Sequence, residues 1–338
     1  MSHNPESLME ALGAVERELN RVILGQEELV RQFLAGVLAG GHILLEGLPG
    51  MGKTQMVRAF CLLSGLGASR IQFTPDLMPL DITGSTLLAE ADGKREFVFS
   101  PGPLFANLVI ADEINRASPK TQSALLEAMQ EKQVTVLGAT HPLPRPFSVL
   151  ATQNPIELEG TYPLPEAQLD RFLFKLEVGQ IGLEQLRDIA QGKAGGDLPP
   201  LEPAMTPDAF AAAMDACRSM AVSRPVADYA ARLVMATRPG GDGVAARIKW
   251  GASPRAVLAM VAGARARAFL AKRMTVGFED VRAVAVPVLN HRIVLDYQSR
   301  LDGYDALRAA RELVEATPEL ERDEPRSLAG KIAGGAHA

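Results

Sequence analysis

Two short stretches hold the residues best suited to chemistry. In Gly47-Leu48-Pro49-Gly50-Met51-Gly52-Lys53-Thr54, a glycine and four further residues precede Gly-Lys-Thr. Glycines let backbone N–H groups turn inward around an anion without Cβ clashes. A helix that follows would present its positive end to the same anion. In such a loop Lys53 reaches the β- and γ-phosphates of a nucleoside triphosphate, and the Thr54 hydroxyl ligates Mg²⁺. Gly47, Pro49, Gly50, Met51, Gly52, Lys53, Thr54 and Gln55 are the expected phosphate-binding set.

The second stretch is Leu108-Val109-Ile110-Ala111, an apolar run that ends in Asp112-Glu113. Adjacent carboxylates at the carboxyl end of a buried parallel strand sit where open α/β sheets bind ligands. There Asp112 would hold Mg²⁺ through its water shell. Glu113 would orient and polarise an attacking water.

Both stretches need strands before them and helices after them, and the chain supplies both. His42–Glu46 reads as a strand and Lys53–Leu63 as the helix after the loop. Further apolar runs at Arg70–Phe73, Leu108–Ala111, Phe147–Ala151 and Phe172–Val178 lack strict alternation, as strands buried on both faces of a parallel sheet do. Amphipathic helices are expected at residues 7–20, with Leu8, Leu12, Val15 and Leu19 on one face, and at 27–39. Ser118-Pro119 opens a helix whose Leu125, Leu126 and Met129 form a core stripe. Val134–Leu143, broken by Gly138-Ala139, reads as a hairpin. This first half is a three-layer α/β domain.

The pattern then changes. Gly192–Pro203 is rich in glycine and proline and reads as a loop. Beyond it the periodicity gives helices only: Pro207–Met220, Val226–Thr237, Pro254–Lys272, Phe278–Val286 and Asp305–Glu315. Thr206-Pro207 and Ser253-Pro254 are start signals, a cap residue followed by proline. The tail after Thr317 is expected to fray. The fold class is therefore α/β with a three-layer core and parallel sheet, followed by a small all-α domain. The expected division is 1–180 and 181–338.

Composition narrows the function classes. Of 338 residues, 47% are hydrophobic and 22% charged, an ordinary globular balance. No apolar run approaches the ~18 residues of a membrane span, and the N-terminus lacks a signal-peptide pattern. Two cysteines, Cys61 and Cys217, fit a reducing compartment, so a cytoplasmic location is expected. The net charge is −5 and the pI about 5.7, which disfavours nucleic acid as a partner. Arg265 and Arg267 could form a local basic patch, but a solvated helix face explains them more simply. The scattered histidines have no zinc-ligand spacing.

Seven stretches in order give a family resemblance: Ile23–Gln26, Gly41–Gly47, Arg70–Leu77, Ala111–Ala117, Ala151–Pro155, Leu169–Phe172 and Gly251–Ala256. The chain resembles AAA+ ATPases of the MoxR family from about Ile23 to Asp305. The resemblance implies an AAA+ core with a helical lid, ATP and Mg²⁺ as cofactors, and Mg-dependent hydrolysis. It implies that Asn154 is sensor 1, Arg171 the arginine finger that reaches the neighbouring subunit, and Arg255 sensor 2, contributed by the lid. Arg116 competes for the finger role. Gly25 and Gln26 would lie near the adenine. Residues of about 83–100 would be the helix-2 insert of this clade, and those of about 134–143 its hairpin before sensor 1.

A cation at a helix start, like Arg255, opposes the macrodipole unless an anion sits there too. Trp250 could brace that region, though simple packing is the commoner role. One departure from the family is Gly179-Gln180-Ile181-Gly182, where a tyrosine-proline element usually stands. The implied function is chaperone-like remodelling by a homo-oligomer, a hexamer by likeness, with protein clients including von Willebrand factor A-domain proteins. The alternatives are an ATP-gated scaffold with little turnover, or a chelatase-like motor subunit.

Overall fold

The structure is a computed structural model that describes residues 4–47, 52–91, 94–154, 160–179, 182–191 and 198–320. Pro49, Gly50 and Met51 of the expected phosphate-binding set lie outside these residues, as does half of the Gly192–Pro203 loop. The chain opens with α1 (Pro5–Val22), α2 (Glu27–Leu38), β1 (Ile43–Glu46), α3 (Lys53–Ser64) and β2 (Ala68–Gln72). A short α4 (Pro79–Thr83) leads into a hairpin of β3 (Gly84–Ala91) and β4 (Lys94–Pro101). Then come β5 (Leu108–Asp112), α5 (Pro119–Glu131), β6 (Gln133–Val136), β7 (Ala139–Pro142), β8 (Ser148–Gln153), α6 (Glu166–Leu169) and β9 (Phe174–Glu177). The remainder holds α7 (Leu183–Ala190), α8 (Pro207–Ser219), α9 (Arg224–Ala236), β10 (Ile248–Trp250), α10 (Pro254–Leu270), α11 (Phe278–Leu289), β11 (Val294–Leu295), α12 (Tyr297–Leu301) and α13 (Ala306–Ala316).

Five strands form a parallel sheet in the order β2-β5-β8-β1-β9. The central β5 and most of β8 are buried on both faces, as expected. The expectation fails for β2, in which only Ile71 is buried, because β2 is the sheet edge. The 134–143 hairpin forms as β6 and β7, with Val134 and Val136 facing inward.

One core lies on each sheet face. Ile71, Phe73, Val109 and Val149 pack with Leu125, Leu126 and Met129 of α5 on one side. On the other, α1, α2 and α3 pack against Ile43 and Leu45 in a core that runs on into the later helices. Phe174 of β9 is fully buried at that join. Gly263 of α10 makes the join possible, since a Cβ there would lie 2.6 Å from the Phe174 ring. Burying a ring of this size stabilises by about 1.5–3 kcal/mol.

The expected start signals cap their helices. Thr206 accepts from the Ala209 N–H and Ser253 from the Arg255 N–H. Three expectations are corrected. The helical lid also carries a two-stranded antiparallel ribbon of β10 and β11, each too short to leave a period-two pattern. Trp250 is 58% exposed rather than packed, with the Lys249 ammonium 4.3 Å from its ring. The expected fraying does not extend to the first residues after Thr317, because Arg232 donates to the carbonyls of Pro318 at 2.8 Å and Glu319 at 2.7 Å; residues 321–338 lie outside the described residues.

Candidate functional site at the strand ends and the lid junction

The carboxyl ends of β1, β5 and β8 converge on one side of the sheet. Gly52 caps α3 at φ 75°, a left-handed conformation that glycine adopts without Cβ strain. Gly52 has no side chain to cap α3, and among the described residues this leaves its first N–H groups for an anion. Lys53 begins the helix and donates from Nζ to the Gly47 carbonyl at 2.8 Å. Burial lowers the Lys53 pKa, and the nearby Asp112, Glu113 and Glu46 oppose that shift. Lys53 and the adjacent pair Asp112-Glu113, from two separate stretches of the sequence, thus lie close enough for their charges to act on one another. Thr54 follows in the first turn of α3, and Gln55 is half-buried beside it.

Asp112, buried at the end of β5, accepts from Arg70 Nε at 2.7 Å and from the Thr152 hydroxyl at 3.2 Å. The Thr152 oxygen also accepts the Glu113 N–H at 3.0 Å, so one β8 side chain sets the local path of both acids. Glu113 itself adopts φ 57°, which turns the chain sharply out of the strand. Its Oε2 accepts from Gln72 Nε2 and from Arg116 Nη1, each at 3.0 Å. Arg116 therefore contacts the acid within its own subunit. Asn154 directly follows β8.

This donor set fits a magnesium nucleotide. A hydroxyl and carboxylate oxygens are hard ligands suited to Mg²⁺, and Lys53 with the bare helix end offers positive charge to phosphate. Beside it, a cavity of about 470 Å³ is lined by Gly25, Gln26, Glu177, Gly179, Asn290 and Arg311, among others. Gln26 Oε1 is buried there with no hydrogen-bond partner among the described residues, as an acceptor awaiting a ligand N–H would be.

The remaining candidates meet at the lid junction. Arg171 follows α6, and its Nε donates to Gln130 Oε1 at 3.0 Å. Arg255, in the first turn of α10, places Nη1 3.5 Å from Asp170 Oδ2, and the Ser253 hydroxyl donates to the same oxygen at 3.2 Å. Asp170 is thus the anion that the Arg255 helix start calls for, supplied by the core. Arg267, half of the suspected basic patch, is bound to Glu28 at 3.0 Å.

Sequence reasoning missed what holds this junction. Just past α11, Arg292 spends all five N–H donors. Nε goes to Asp170 Oδ1 at 2.7 Å, Nη1 to the Val288 and Leu173 carbonyls, and Nη2 to those of Phe172 and Asp170. His291 Nε2 meets the Phe172 carbonyl at 3.1 Å, and Asn290 Nδ2 donates to the Lys175 carbonyl at 3.1 Å. Lys175 in turn pairs with Glu46 at 2.6 Å, at the foot of the phosphate loop. Burial lowers the Arg292 pKa, opposed by its bond to Asp170. Burial, then the Arg292 charge, holds the His291 pKa well below its usual value. No local pattern in Asn290-His291-Arg292 signals this, since every acceptor of the Arg292 side chain but Val288 lies over a hundred residues away.

Comparison with known proteins gives the family and the fold. The family model of ATPases associated with various cellular activities (AAA) matches residues 42–174, and an AAA lid domain model matches 242–315. Chaperone MoxR1 of Mycobacterium tuberculosis is 44% identical over 304 residues, spanning 88% of this chain and 80% of the relative. Protein MoxR of Methylorubrum extorquens is 32% identical, spanning 91% and 95%. A crystal structure from Cytophaga hutchinsonii, described as a candidate ATPase, superposes with a TM-score of 0.84 at 36% identity, covering 94% of this chain and 97% of its own.

Proposed function

Because the chain belongs to the MoxR family of AAA+ ATPases, we propose that it is an Mg²⁺-dependent ATP hydrolase that works as a chaperone-like homo-oligomer on protein clients. The observation that carries this reading is the meeting of Lys53 with Asp112 and Glu113 beneath the uncapped start of α3. Lys53 and the first N–H groups of α3 bind and orient the phosphates. Thr54 and Asp112 would hold Mg²⁺, which would supply positive charge against the phosphates. Glu113 positions the attacking water, with Asn154 at the adjacent strand end. Gly25 and Gln26 would lie near the adenine.

Arg171 lies at the lid junction and contacts only Gln130 among the groups described, which leaves its guanidinium for a neighbouring copy. In our reading it completes the neighbour's site, and Arg255 is sensor 2, contributed by the lid. Residues 1–180 form the core and 181–338 the lid, and hydrolysis changes the angle between them. Clients would include von Willebrand factor A-domain proteins. A cytoplasmic location is part of this reading, and no helix among the described residues is long and apolar enough to cross a membrane.

Isothermal titration of ATP into wild type and Lys53→Ala tests the nucleotide site. Loss of binding in the variant, with an unchanged circular dichroism spectrum, is the expected result. Unchanged affinity would remove the phosphate-loop assignment.

A further inference from the structure

The edge strand β2 sends two side chains toward the acid pair. Arg70 Nε donates to Asp112 Oδ2 at 2.7 Å, and its Nη2 donates to Gln72 Oε1 at 3.2 Å. Gln72 Nε2 in turn donates to Glu113 Oε2. Thr152 completes the other side, donating to Asp112 Oδ1 and accepting the Glu113 N–H. These bonds close a ring around both acids, and Arg70 is its cation.

The end of β5 fixes the Asp112 backbone, but a carboxylate can still turn about its Cβ–Cγ bond. One hydrogen bond on each oxygen stops that turn. The Thr152 bond is neutral and 3.2 Å long, whereas the Arg70 bond is short and charge-assisted, so Arg70 does most of the holding. Water is poorly placed to replace it, because the Asp112 side chain is only 12% exposed. An ionised carboxylate has about four lone-pair sites, so two bonds leave Asp112 with capacity for a further ligand. A cation beside a metal ligand also repels the metal. Arg70 is 56% exposed, however, and solvent screens its charge while the hydrogen bond acts at contact.

We propose that Arg70 is a positioning residue that holds the Asp112 carboxylate ready for Mg²⁺. Lys53 rests on the Gly47 carbonyl and begins α3, so the phosphate contacts are not routed through Arg70. Its loss therefore spares nucleotide binding without metal and weakens only the gain that Mg²⁺ adds. The inference rests on the proposed assignment of Thr54 and Asp112 to Mg²⁺.

The test is isothermal titration of adenylyl imidodiphosphate, an ATP analogue that resists hydrolysis, in EDTA and in saturating Mg²⁺. In EDTA, Arg70→Met binds the analogue near the wild-type level, which also shows that the variant is folded. In Mg²⁺ it loses about 10–100-fold of the wild-type gain, the usual effect of removing a hydrogen-bond partner of a metal ligand. A second comparison uses Asp112→Asn, where no buried carboxylate is left unpaired. There the added Arg70→Met change costs no further Mg²⁺ gain, because Arg70 acts through Asp112.

An equal loss in EDTA and in Mg²⁺ would make Arg70 a support for the fold and overturn the proposal. An unchanged or larger Mg²⁺ gain in Arg70→Met would overturn it too, the latter by showing that Arg70 competes with the metal. So would a further loss in the double variant. If the wild type gains nothing from Mg²⁺, or Asp112→Asn keeps the whole gain, the metal assignment itself falls and takes the inference with it.

Discussion

The strand-end cluster and the lid junction are both polar sites, yet they are built in opposite ways. At the strand ends the functional groups come from contiguous motifs, sit half-open, and keep unspent capacity: an uncapped helix, a free Gln26 oxygen, a lysine resting on its own loop. At the junction, Arg292 is closed off, and each of its donors is used by a residue of the core or of α11. The first arrangement suits a ligand that comes and goes. The second suits transmission of a movement, because a saturated buried network cannot deform one bond at a time without leaving a polar group unpaired.

That contrast predicts different failures on each side. Glu113→Gln leaves the strand-end scaffold intact, since Gln72 and Arg116 are half-exposed partners that water can replace. ATP still binds, and single-turnover hydrolysis slows on the order of 10²–10⁴-fold, the usual contribution of a general base. Near-normal turnover would mean that another residue places the water.

Arg292→Met should act on stability instead. It leaves Asp170 Oδ1 and the carbonyls of Phe172 and Leu173 without their buried donor, with only the exposed Arg255 still paired to the carboxylate. Removing one partner of a buried ion pair costs about 3–5 kcal/mol. Urea unfolding should register that loss, and a change below ~1 kcal/mol would show that the junction is wetter than described.

A smaller effect comes from pH. His42 has its pKa pushed down to about 3 by burial and the Lys132 charge, and His291 lies well below its usual value. Both are neutral when folded, whereas in the unfolded chain they titrate near 6.5. Stability is therefore full above about pH 6.5. It falls as the pH drops, by up to about 1.4 kcal/mol per pH unit for each histidine. Denaturation midpoints at pH 7 and 5.5 measure this, and equal midpoints would contradict it.

The same contrast explains what could be read in advance. The helix α3 after the glycine stretch, the acids at the end of β5 and the central strands follow from local patterns, because apolar runs, helix starts and strand-end acids are short-range signals. The exposed edge strand β2 was not legible, since its composition does not reveal its place in the sheet order. Nor was the grip of Arg292 on residues 170–173, which spans about 120 positions and consists mostly of bonds to backbone carbonyls that any sequence would supply. Arg255 falls between the two cases. Its clash with the helix dipole asked for an anion, but only the fold identifies that anion as Asp170.

The central claim is that hydrolysis needs residues of two subunits, and ATP turnover per subunit measured against protein concentration, with Mg²⁺ present, tests it most directly. The account predicts that specific activity climbs and then reaches a plateau, and that Arg171→Ala abolishes the plateau while ATP binding persists. A specific activity that is constant down to concentrations at which sedimentation shows only monomers would contradict it, and would place the whole active site within one chain.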